Sequence, residues 1–311
     1  MGKIVTVTIN PCIDKSTVVK AIAPEKKLRC EQPKYEPGGG GINVARAIKK
    51  LGGNATAIYP SGGYSGRFLN DLLQREGVPV KIVEVQGHTR ENLIVLDAST
   101  NAQYRFGMPG APLAEEEWKA CLKAVEEEED VSFIVASGSL SPGVPTNIFA
   151  QIASIAKRKE ARLVVDTSGE ALKGAVSQGV FLLKPNLAEL SSLAGREEIN
   201  AELVDDVAKE IIGRGQCEVV VVSLGPAGAM LVSQTEIIQA TPPAVKKRST
   251  VGAGDSMVAG IVWSLSRGWD LKDALRYGVA TGTAATMNNG TELSKLEDVE
   301  CLYPLVRTVQ L

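Results

Sequence analysis

Short apolar runs and longer amphipathic stretches alternate along most of this chain of 311 residues. The apolar runs are rich in valine and isoleucine, which is typical of strands buried in a parallel sheet. They predict strands at residues 4–9, 55–59, 80–85, 131–136, 162–165, 180–183 and 218–223. The amphipathic stretches predict helices at residues 42–51, 65–76, 114–128, 147–157, 170–176 and 201–212, with mainly helix from Gly254 onward. Such repeated units predict an α/β fold whose mainly parallel sheet is covered by helices on both faces.

Two stretches of the chain break this rhythm. Both are too long for a simple connection and carry short extended pieces, at residues 16–20, 28–33, 91–97 and 103–108. Four short strands outside the main sheet predict a small β-sheet lid, contributed by about residues 11–37 and 88–110. Ligands of parallel sheets bind at the carboxyl ends of the strands, so we expect the lid there. With no linker or repeat, we predict a single domain over residues 1–311.

Composition and charge exclude several classes of function. A formal net charge of −2 gives no support for binding nucleic acid or a membrane surface. The start of the chain alternates like a strand and lacks the apolar run of a signal peptide, so we expect a cytoplasmic protein. The cysteines are scattered without CxxC spacing, which disfavours disulfides and structural zinc. His88 is the only histidine, so chemistry that depends on histidine is disfavoured.

The first candidate for chemistry is residues 249–256, S-T-V-G-A-G-D-S, which lead into an apolar run at 257–263. The apolar run predicts a buried helix, and residues 252–254 would lie at its entrance, where free amides and the helix dipole favour an anion. Asp255 would stand beside that anion. It could accept the proton of a hydroxyl group while the entrance held a phosphoryl group. The alternative is a capped helix after a tight turn, with Asp255 merely favouring the dipole.

A second glycine cluster, residues 38–41, comes directly before the helix predicted at 42–51. Four glycines carry no side chains, so a ligand can approach the backbone closely at the start of a helix. Asn43 in the first turn can donate to sugar hydroxyl groups and accept from them. The alternative is a flexible hinge, which the conformational entropy cost of four glycines disfavours.

Three familiar nucleotide-binding motifs are absent from the sequence: the GxxxxGK[ST] loop, the GxGxxG fingerprint and the H-R-D catalytic loop. A different pattern is present. The chain resembles the PfkB, or ribokinase-like, sugar kinases in their amino-terminal signature, their carboxy-terminal signature and the segments between, at residues 37–51, 164–172, 184–190, 221–228 and 250–260. These segments keep the family's order over essentially the whole chain. The resemblance implies a ribokinase-like three-layer domain with a small β-sheet lid.

The resemblance also implies a reaction. Gly40 stands where relatives acting on fructose 1-phosphate usually carry lysine, and the glycine run is most similar to the branch acting on fructose 6-phosphate. Residues 28–30, 89–92 and 103–110 are similar to that branch as well. The implied reaction is direct, in-line transfer from ATP to the 1-hydroxyl of D-fructose 6-phosphate, which gives fructose 1,6-bisphosphate in glycolysis. The family pattern assigns Asp255 as general base, with an anion hole formed by Gly252, Ala253 and Gly254.

Residue by residue, the resemblance implies a nucleotide side and a sugar side. The nucleotide side consists of Lys184, Asn186, Ser223, Gly225, Gly228, Val279 and Thr283. Glu189 completes the family's NxxE motif and holds Mg²⁺ through water, which suits a cation that prefers oxygen ligands. The sugar side consists of Asp14, Lys27, Gly39, Asn43, Arg90, Arg105 and Ser139. The two arginines would bind the 6-phosphate, which needs fixed positive charge.

Two further implications concern partners. A potassium ion is expected beside the anion hole, at Ser249, Val251, Ala285, Asn288 and Gly290. A homodimer through the lid is expected too, with Lys27 reaching the neighbouring subunit's site. The sequence departs from the family pattern at two places. Ser141 replaces an expected proline, which predicts a looser turn, and Glu292 replaces an expected arginine near the cation loop.

Alternative functions follow from the same residues. A tagatose 6-phosphate kinase or a fructose 1-phosphate kinase remains open, because two arginines recognise a phosphate without fixing the sugar's stereochemistry. A non-catalytic sugar-phosphate sensor is a third alternative, which the presence of Asp255 and the NxxE pair disfavours. A nicotinamide-dependent dehydrogenase is disfavoured by the missing fingerprint.

Overall fold

The computed structural model describes residues 2–288 and 290–311. Its strands are β1 Lys3–Val7, β2 Cys12–Val19, β3 Lys34–Gly38, β4 Ala55–Ser61, β5 Val80–Glu84, β6 Arg90–Asp97, β7 Ala102–Phe106, β8 Val131–Ser137, β9 Arg162–Asp166, β10 Val180–Leu183, β11 Cys217–Ser223, β12 Ala229–Val232, β13 Ile237–Thr241 and β14 Arg307–Gln310. Its helices are α1 Gly40–Lys50, α2 Gly63–Arg75, α3 Glu115–Glu126, α4 Ile148–Arg158, α5 Gly169–Val176, α6 Leu187–Leu193, α7 Val204–Gly213, α8 Ala253–Ser266, α9 Leu271–Thr286 and α10 Leu296–Leu302.

The main sheet has the order β14-β13-β12-β11-β10-β9-β8-β1-β4-β5. Its strands from β11 to β5 are parallel, and β12, β13 and β14 continue it as an antiparallel edge. The parallel part confirms the predicted strands. The antiparallel edge was not predicted, because its strands are short and β14 follows a helical region.

Helices cover both faces of this sheet. Alternate residues of each strand point into two separate cores, as the two-residue period of a strand requires. One core lies under α1, α2, α8, α9 and α10, and the other lies under α3 to α7. This arrangement confirms the predicted three-layer α/β fold. None of the described helices is long and apolar enough to cross a membrane.

A second sheet has the order β3-β2-β6-β7 and lies outside the main one. Strands β2 and β6 pair in parallel, while β3 and β7 pair at the edges in antiparallel fashion. We call these four strands the small sheet. The extended piece predicted at residues 28–33 does not form a strand: Cys30 makes only an isolated antiparallel bridge to Val19, and the edge strand beside β2 begins at Lys34. Pro33 directly precedes it and cannot donate a hydrogen bond to a neighbouring strand.

Candidate active site

The N-terminus of α8 forms one wall of a cavity at the carboxyl ends of the parallel strands. Gly252 is the N-cap residue, with a φ of 73°, a left-handed conformation that glycine adopts without strain. A Cβ atom there would lie 2.7 Å from Cδ2 of Leu293. The Ala253 amide makes a long hydrogen bond to the Thr250 carbonyl at 3.4 Å, and the Ser256 amide is the first to donate back within the helix, to the Gly252 carbonyl at 2.8 Å. The amides of Gly254 and Asp255 come before it and have no acceptor within the helix.

Asp255 sits in this first turn, with a half-buried side chain. Its Oδ2 accepts a hydrogen bond from Nδ2 of Asn43 at 2.9 Å. Burial and the nearby Asp166 carboxylate raise the pKa of Asp255 to about 7, while Asn43 and Lys184 act in the opposite direction. A carboxyl group that titrates near neutrality can accept a proton from a hydroxyl group.

The glycine cluster lets α1 begin against the ends of two central strands. Gly38 ends β3, Gly39 has a φ of 108°, and the next two glycines are the first residues of α1. A Cβ atom on Gly40 would lie 2.2 Å from Oγ of Ser137, and one on Gly41 would lie 2.6 Å from the Val7 carbonyl oxygen. The glycines therefore have two reasons to lack side chains. One is this close packing within the protein, and the other is the ligand approach predicted from the sequence. The packing brings Asn43, in the first turn of α1, to Asp255.

Lys184 and Asp166 form a buried ion pair at the ends of β9 and β10. Nζ of Lys184 lies 3.1 Å from Oδ1 of Asp166. Although burial opposes the charge, the pairing with Asp166 raises the pKa of Lys184. A Cβ atom on Gly254 would lie 3.5 Å from the lysine Nζ, so the ammonium group adjoins the N-terminus of α8. A fixed positive charge and free amides thus face the same space.

Asn186 and Glu189 cap the short helix α6. The Glu189 amide donates to Oδ1 of Asn186, and the Asn186 amide donates to Oε2 of Glu189, both at 2.9 Å. This reciprocal pair is a capping box. Burial raises the pKa of the Glu189 carboxyl group. The NxxE motif therefore caps α6, and the carboxylate of Glu189 also borders the cavity.

Asp166 is a site residue that the sequence analysis did not single out. Its carboxylate, with those of Glu189 and Asp255, lines a cavity of about 310 Å³. The signal was present in the sequence, since an acidic residue directly followed the buried strand predicted at 162–165. Ligands of parallel sheets bind at such strand ends.

The charge of this cavity fits a hydrated divalent cation. Three carboxylates face it, and the desolvation that raises the pKa of Asp255 and Glu189 would be relieved by an added positive charge. Within residues 2–288 and 290–311, no three Asp, Glu, His or Cys side chains are close enough to hold a metal ion by themselves. Mg²⁺ commonly keeps water and phosphate oxygens as ligands, so the residues present suit it.

The other residues predicted for the nucleotide side fall on two neighbouring elements. The Ser223 amide donates to the Pro185 carbonyl at 3.0 Å, which joins the end of β11 to the lysine-bearing loop. Gly225 and Gly228 flank a tight turn after β11, with φ values of 59° and 94°. Thr283 is half-buried on α9. Val279, one turn earlier, is enclosed in the core with 1% exposure, so its side chain does not line an open surface.

Of the residues predicted for the sugar side, Asp14 belongs to strand β2 of the small sheet. Asp14 is buried there, and its Oδ1 accepts from Nδ2 of Asn92 at 2.9 Å and from Sγ of Cys12 at 3.3 Å. Burial and the adjacent carboxylate raise the pKa of the Cys12 thiol well above its usual value, so the thiol stays protonated. Ser139 is exposed, and its Oγ accepts from Nδ2 of Asn10 at 3.1 Å. Ser139 lines the cavity, and Asp14 lies close enough to Asp255 for its charge to raise the pKa of that carboxyl group.

Arg90 does not present a free guanidinium fork. Its Nη1 donates to the Met108 carbonyl and its Nη2 donates to the Asn10 carbonyl, each at 3.0 Å. Among the described atoms its buried Nε has no hydrogen-bond partner. Arg90 therefore already clamps the loop after β7 to the turn after β1, which the sequence could not show.

Arg105 reaches across from the small sheet to the loop before α8. Its Nη2 donates to Oγ1 of Thr250 at 3.1 Å, and its guanidinium is also held by Gln103. This exposed arginine is therefore near the entrance of α8. Lys27 is exposed on the connection between β2 and β3. Its predicted role at a neighbouring subunit's site stays a prediction.

The residues predicted for potassium are brought together beside α8. Oγ of Ser249 donates to the Gly290 carbonyl at 2.8 Å and accepts from the Val251 amide at 3.2 Å. The Asn288 amide donates to the Ala285 carbonyl at 3.2 Å. The loop thus gathers several carbonyl oxygens, although some already accept hydrogen bonds.

Both departures from the family pattern have partners in the structure. Oγ of Ser141 is buried and donates to the Ile9 carbonyl at 3.0 Å, so this turn is tied down and not loosened as predicted. Glu292 lies 4.0 Å from Nζ of Lys34, which balances its charge at the rim of the cation loop.

The profile of the pfkB family carbohydrate kinases matches residues 3–298. The chain belongs to this family. The match spans both glycine-led helices and every site residue described above, and it confirms the resemblance found in the sequence. The PfkB fold therefore explains why residues from such distant parts of the chain meet in one cavity.

Curated PfkB relatives match over nearly the whole chain. The ATP-dependent 6-phosphofructokinase isozyme 2 of Escherichia coli is 48% identical over 304 residues, 97% of this chain and 98% of the relative. The 1-phosphofructokinase of Bacillus subtilis is 32% identical over 99% of this chain and 100% of the relative.

Solved structures match over nearly the whole chain as well. Phosphofructokinase-2 from E. coli in complex with fructose-6-phosphate has a TM-score of 0.93 at 46% identity and covers 98% of this chain and 99% of its own. Its complex with potassium has a TM-score of 0.95 at 47% identity, with the same coverage. A tetrameric inhibited form of the same enzyme has a TM-score of 0.93.

Proposed function

We propose that this PfkB protein is an ATP-dependent 6-phosphofructokinase, which phosphorylates the 1-hydroxyl of D-fructose 6-phosphate and yields fructose 1,6-bisphosphate. The observation that carries the proposal is the position of Asp255, whose carboxylate shares one helical turn with unpaired amides and adjoins Lys184. The high identity to a 6-phosphofructokinase over the whole chain supports this substrate.

The site residues divide the reaction among them. Asp255 accepts the proton of the 1-hydroxyl as that oxygen attacks the γ-phosphorus of ATP, and the bond to the β–γ bridging oxygen breaks in line. The amides of Gly252, Ala253 and Gly254 and the ammonium of Lys184 stabilise the negative charge on the phosphoryl group in flight. His88 takes no part, since the transfer is direct.

The nucleotide side, which holds ATP, consists of Lys184, Asn186, Ser223, Gly225, Gly228 and Thr283. The enclosed side chain of Val279 makes no part of this contact. Glu189 and Asp166 hold Mg²⁺ through water. When bound, Mg²⁺ neutralises phosphate charge during transfer. The potassium complex of the E. coli enzyme supports a K⁺ ion at Ser249, Val251, Ala285, Asn288 and Gly290 here.

On the sugar side, Asp14, Gly39, Asn43 and Ser139 face the hydroxyl groups. The small sheet, contributed by about residues 11–37 and 88–110 of a single domain, acts as a lid. Arg105 is the stronger candidate for the 6-phosphate, because Arg90 already donates to two carbonyl groups. Arg90 then contributes its remaining N–H groups and long-range charge. The proposed glycolytic reaction places the protein in the cytoplasm.

A panel of acceptors tests the substrate. With ATP and Mg²⁺ saturating, we expect kcat/KM for fructose 6-phosphate to exceed that for tagatose 6-phosphate and for fructose 1-phosphate. The product should carry its new phosphate at carbon 1, which ³¹P NMR detects. A preference for another acceptor would replace the proposed substrate within the family, and binding without turnover would favour a sensor.

We also propose a homodimer through the small sheet, with Lys27 of each subunit near the site of its partner. Tyr104 and Phe106 on this sheet, and Met108 just after it, are large apolar side chains that are exposed. Sedimentation tests the dimer: Phe106→Asp should yield monomers, whereas Leu305→Asp, at an exposed position elsewhere, should not. The tetrameric form of the E. coli enzyme is the assembly to look for alongside it.

A further inference from the structure

Arg46 is a fully enclosed arginine one helical turn after Asn43 on α1. Its exposure is 2%. Its Nη1 donates to the Pro37 carbonyl at 2.7 Å and to Oδ1 of Asn43 at 3.3 Å. Its Nε and Nη2 donate to the two carboxylate oxygens of Glu76, each at 2.7 Å. A guanidinium group can satisfy all these acceptors at once because its donors form a planar fork.

The surroundings fix this guanidinium from several sides. Oε1 of Glu36 lies 3.7 Å from Nη2 of Arg46, and the other oxygen of Glu36 accepts from Oγ1 of Thr291 at 2.5 Å. Glu36 belongs to β3, Glu76 follows α2, and Thr291 precedes α10. Strand β3 and the end of α2 therefore converge on Arg46, and Thr291 in turn holds Glu36, so the position of the guanidinium is determined by the fold and not by solvent.

The consequence concerns the orientation of the Asn43 carboxamide. As placed, the oxygen of this amide faces Arg46, and its nitrogen donates to Oδ2 of Asp255 at 2.9 Å. Rotating the amide by half a turn would set its NH₂ group against the guanidinium, donor to donor. The same rotation would set its oxygen against the carboxylate of Asp255, acceptor to acceptor. Only one orientation satisfies both neighbours.

We propose that Arg46 is a positioning residue, whose guanidinium holds the Asn43 carboxamide in the orientation that donates to Asp255. Arg46 does not border the cavity, so it acts on the reaction only through Asn43. The inference rests on the proposed role of Asp255 as general base. Arg46 would then contribute to phosphoryl transfer although it contacts neither substrate.

A double-mutant cycle tests this inference. Arg46→Lys keeps the charge but loses the fork, so one ammonium cannot serve Glu76, Pro37 and Asn43 together. We expect kcat to fall about 10-fold or more, with a smaller change in KM for the sugar phosphate. In a protein that already carries Asn43→Ala, the same lysine substitution should change kcat less than about twofold, since coupled residues are not additive. Losses that multiply, or an unchanged kcat in the single variant, would overturn the inference.

Two further variants keep the test decisive. Ile48→Ala removes a fully buried side chain from the same helix without touching Asn43, so it should lower the melting temperature and leave kcat unchanged. If the lysine variant does not fold, Glu76→Gln loosens one side of the fork while retaining a hydrogen-bond partner. Its smaller loss of kcat should likewise vanish in the Asn43→Ala background, and persistence there counts against the inference. A wild-type protein without kinase activity would instead refute the proposed function.

Discussion

Nδ2 of Asn43 lies 2.9 Å from Oδ2 of Asp255, across 212 residues of sequence. Each residue belongs to the first turn of a helix that glycine introduces, α1 in one case and α8 in the other. The hydrogen bond therefore joins the two glycine-led helix starts that the sequence marks separately. Because the amide donates to the ionised carboxylate, it offsets part of the desolvation that raises the pKa of Asp255.

Replacing Asp255 by asparagine removes the proposed base and keeps the shape of the side chain. We expect Asp255→Asn to bind both substrates while kcat falls by roughly 10²–10⁴, the range for a lost general base. Steady-state kinetics with titration of both substrates measures the two effects. Near-normal turnover would refute the role of Asp255.

The same variant should be more stable than the wild type at alkaline pH. The folded state raises the pKa of Asp255 from 3.8 to about 7, so this group favours folding most below pH 3.8 and progressively less as the pH rises to about 7. At pH 8 the ionised carboxylate therefore destabilises the fold by up to about 4 kcal/mol, which asparagine avoids. Its carbonyl oxygen can still accept from Asn43. Urea unfolding at pH 4 and pH 8 should show the gain mainly at pH 8, and an equal gain at both would contradict it.

The pH dependence of kcat/KM tests Asp255 as the base, because two variants should shift its pKa in opposite directions. Because the base must be ionised, activity should rise with pH through the pKa of Asp255, which is about 7 without Mg²⁺ and lower when the cation is bound nearby. Asn43→Ala removes a bond that lowers the pKa of Asp255, so its acid limb should move to higher pH. Asp166→Asn removes a carboxylate that raises this pKa, so its acid limb should move to lower pH. If the acid limbs of both variants moved in the same direction, the titration of Asp255 would not be what determines the acid limb of kcat/KM.

The hydrophobic periodicity of the chain and its glycine residues at the ends of helices predicted most of the fold. The valine-rich run of β11 could only be a buried strand, and the glycines at residues 252 and 254 marked a helix start regardless of tertiary context. The edge strands β12 to β14 were missed because no helix separates β12 from β13 and β14 follows a long helical region, so the alternation that marked the parallel strands is absent there. Their pairing depends on neighbours that are distant in sequence.

Site residues could be predicted where the residue type itself implied the chemistry. They could not be predicted where the role depends on contacts with distant segments. Asp255 beside free amides followed from local sequence. That Arg90 clamps two carbonyls did not, because its acceptors, at Asn10 and Met108, lie on other segments. The buried pair of Lys184 and Asp166 was likewise hidden, since only the sheet order places β9 next to β10.

Arg105 offers a test of sugar-phosphate recognition. Its guanidinium lies on the small sheet and contacts Thr250 beside the entrance of α8. We expect Arg105→Ala to raise KM for fructose 6-phosphate by about 10-fold or more and to change kcat less, because a ground-state phosphate contact is lost. KM for ATP should stay unchanged. Arg158→Ala, an exposed arginine paired with Glu126 on α3, is the matched control and should change neither constant.

Glu189 separates the capping of α6 from the proposed binding of magnesium. Glutamine at this position can keep the capping box, since its side-chain oxygen accepts from the Asn186 amide as the carboxylate does. Glu189→Gln should therefore leave the melting temperature within a few degrees of the wild type. The Mg²⁺ concentration for half-maximal activity should rise several-fold, because one negative charge near the hydrated ion is gone. Glu189→Ala should show the same shift together with a lower melting temperature, because the bond from the Asn186 amide is lost. An unchanged Mg²⁺ requirement in the glutamine variant would limit Glu189 to its role as a helix cap.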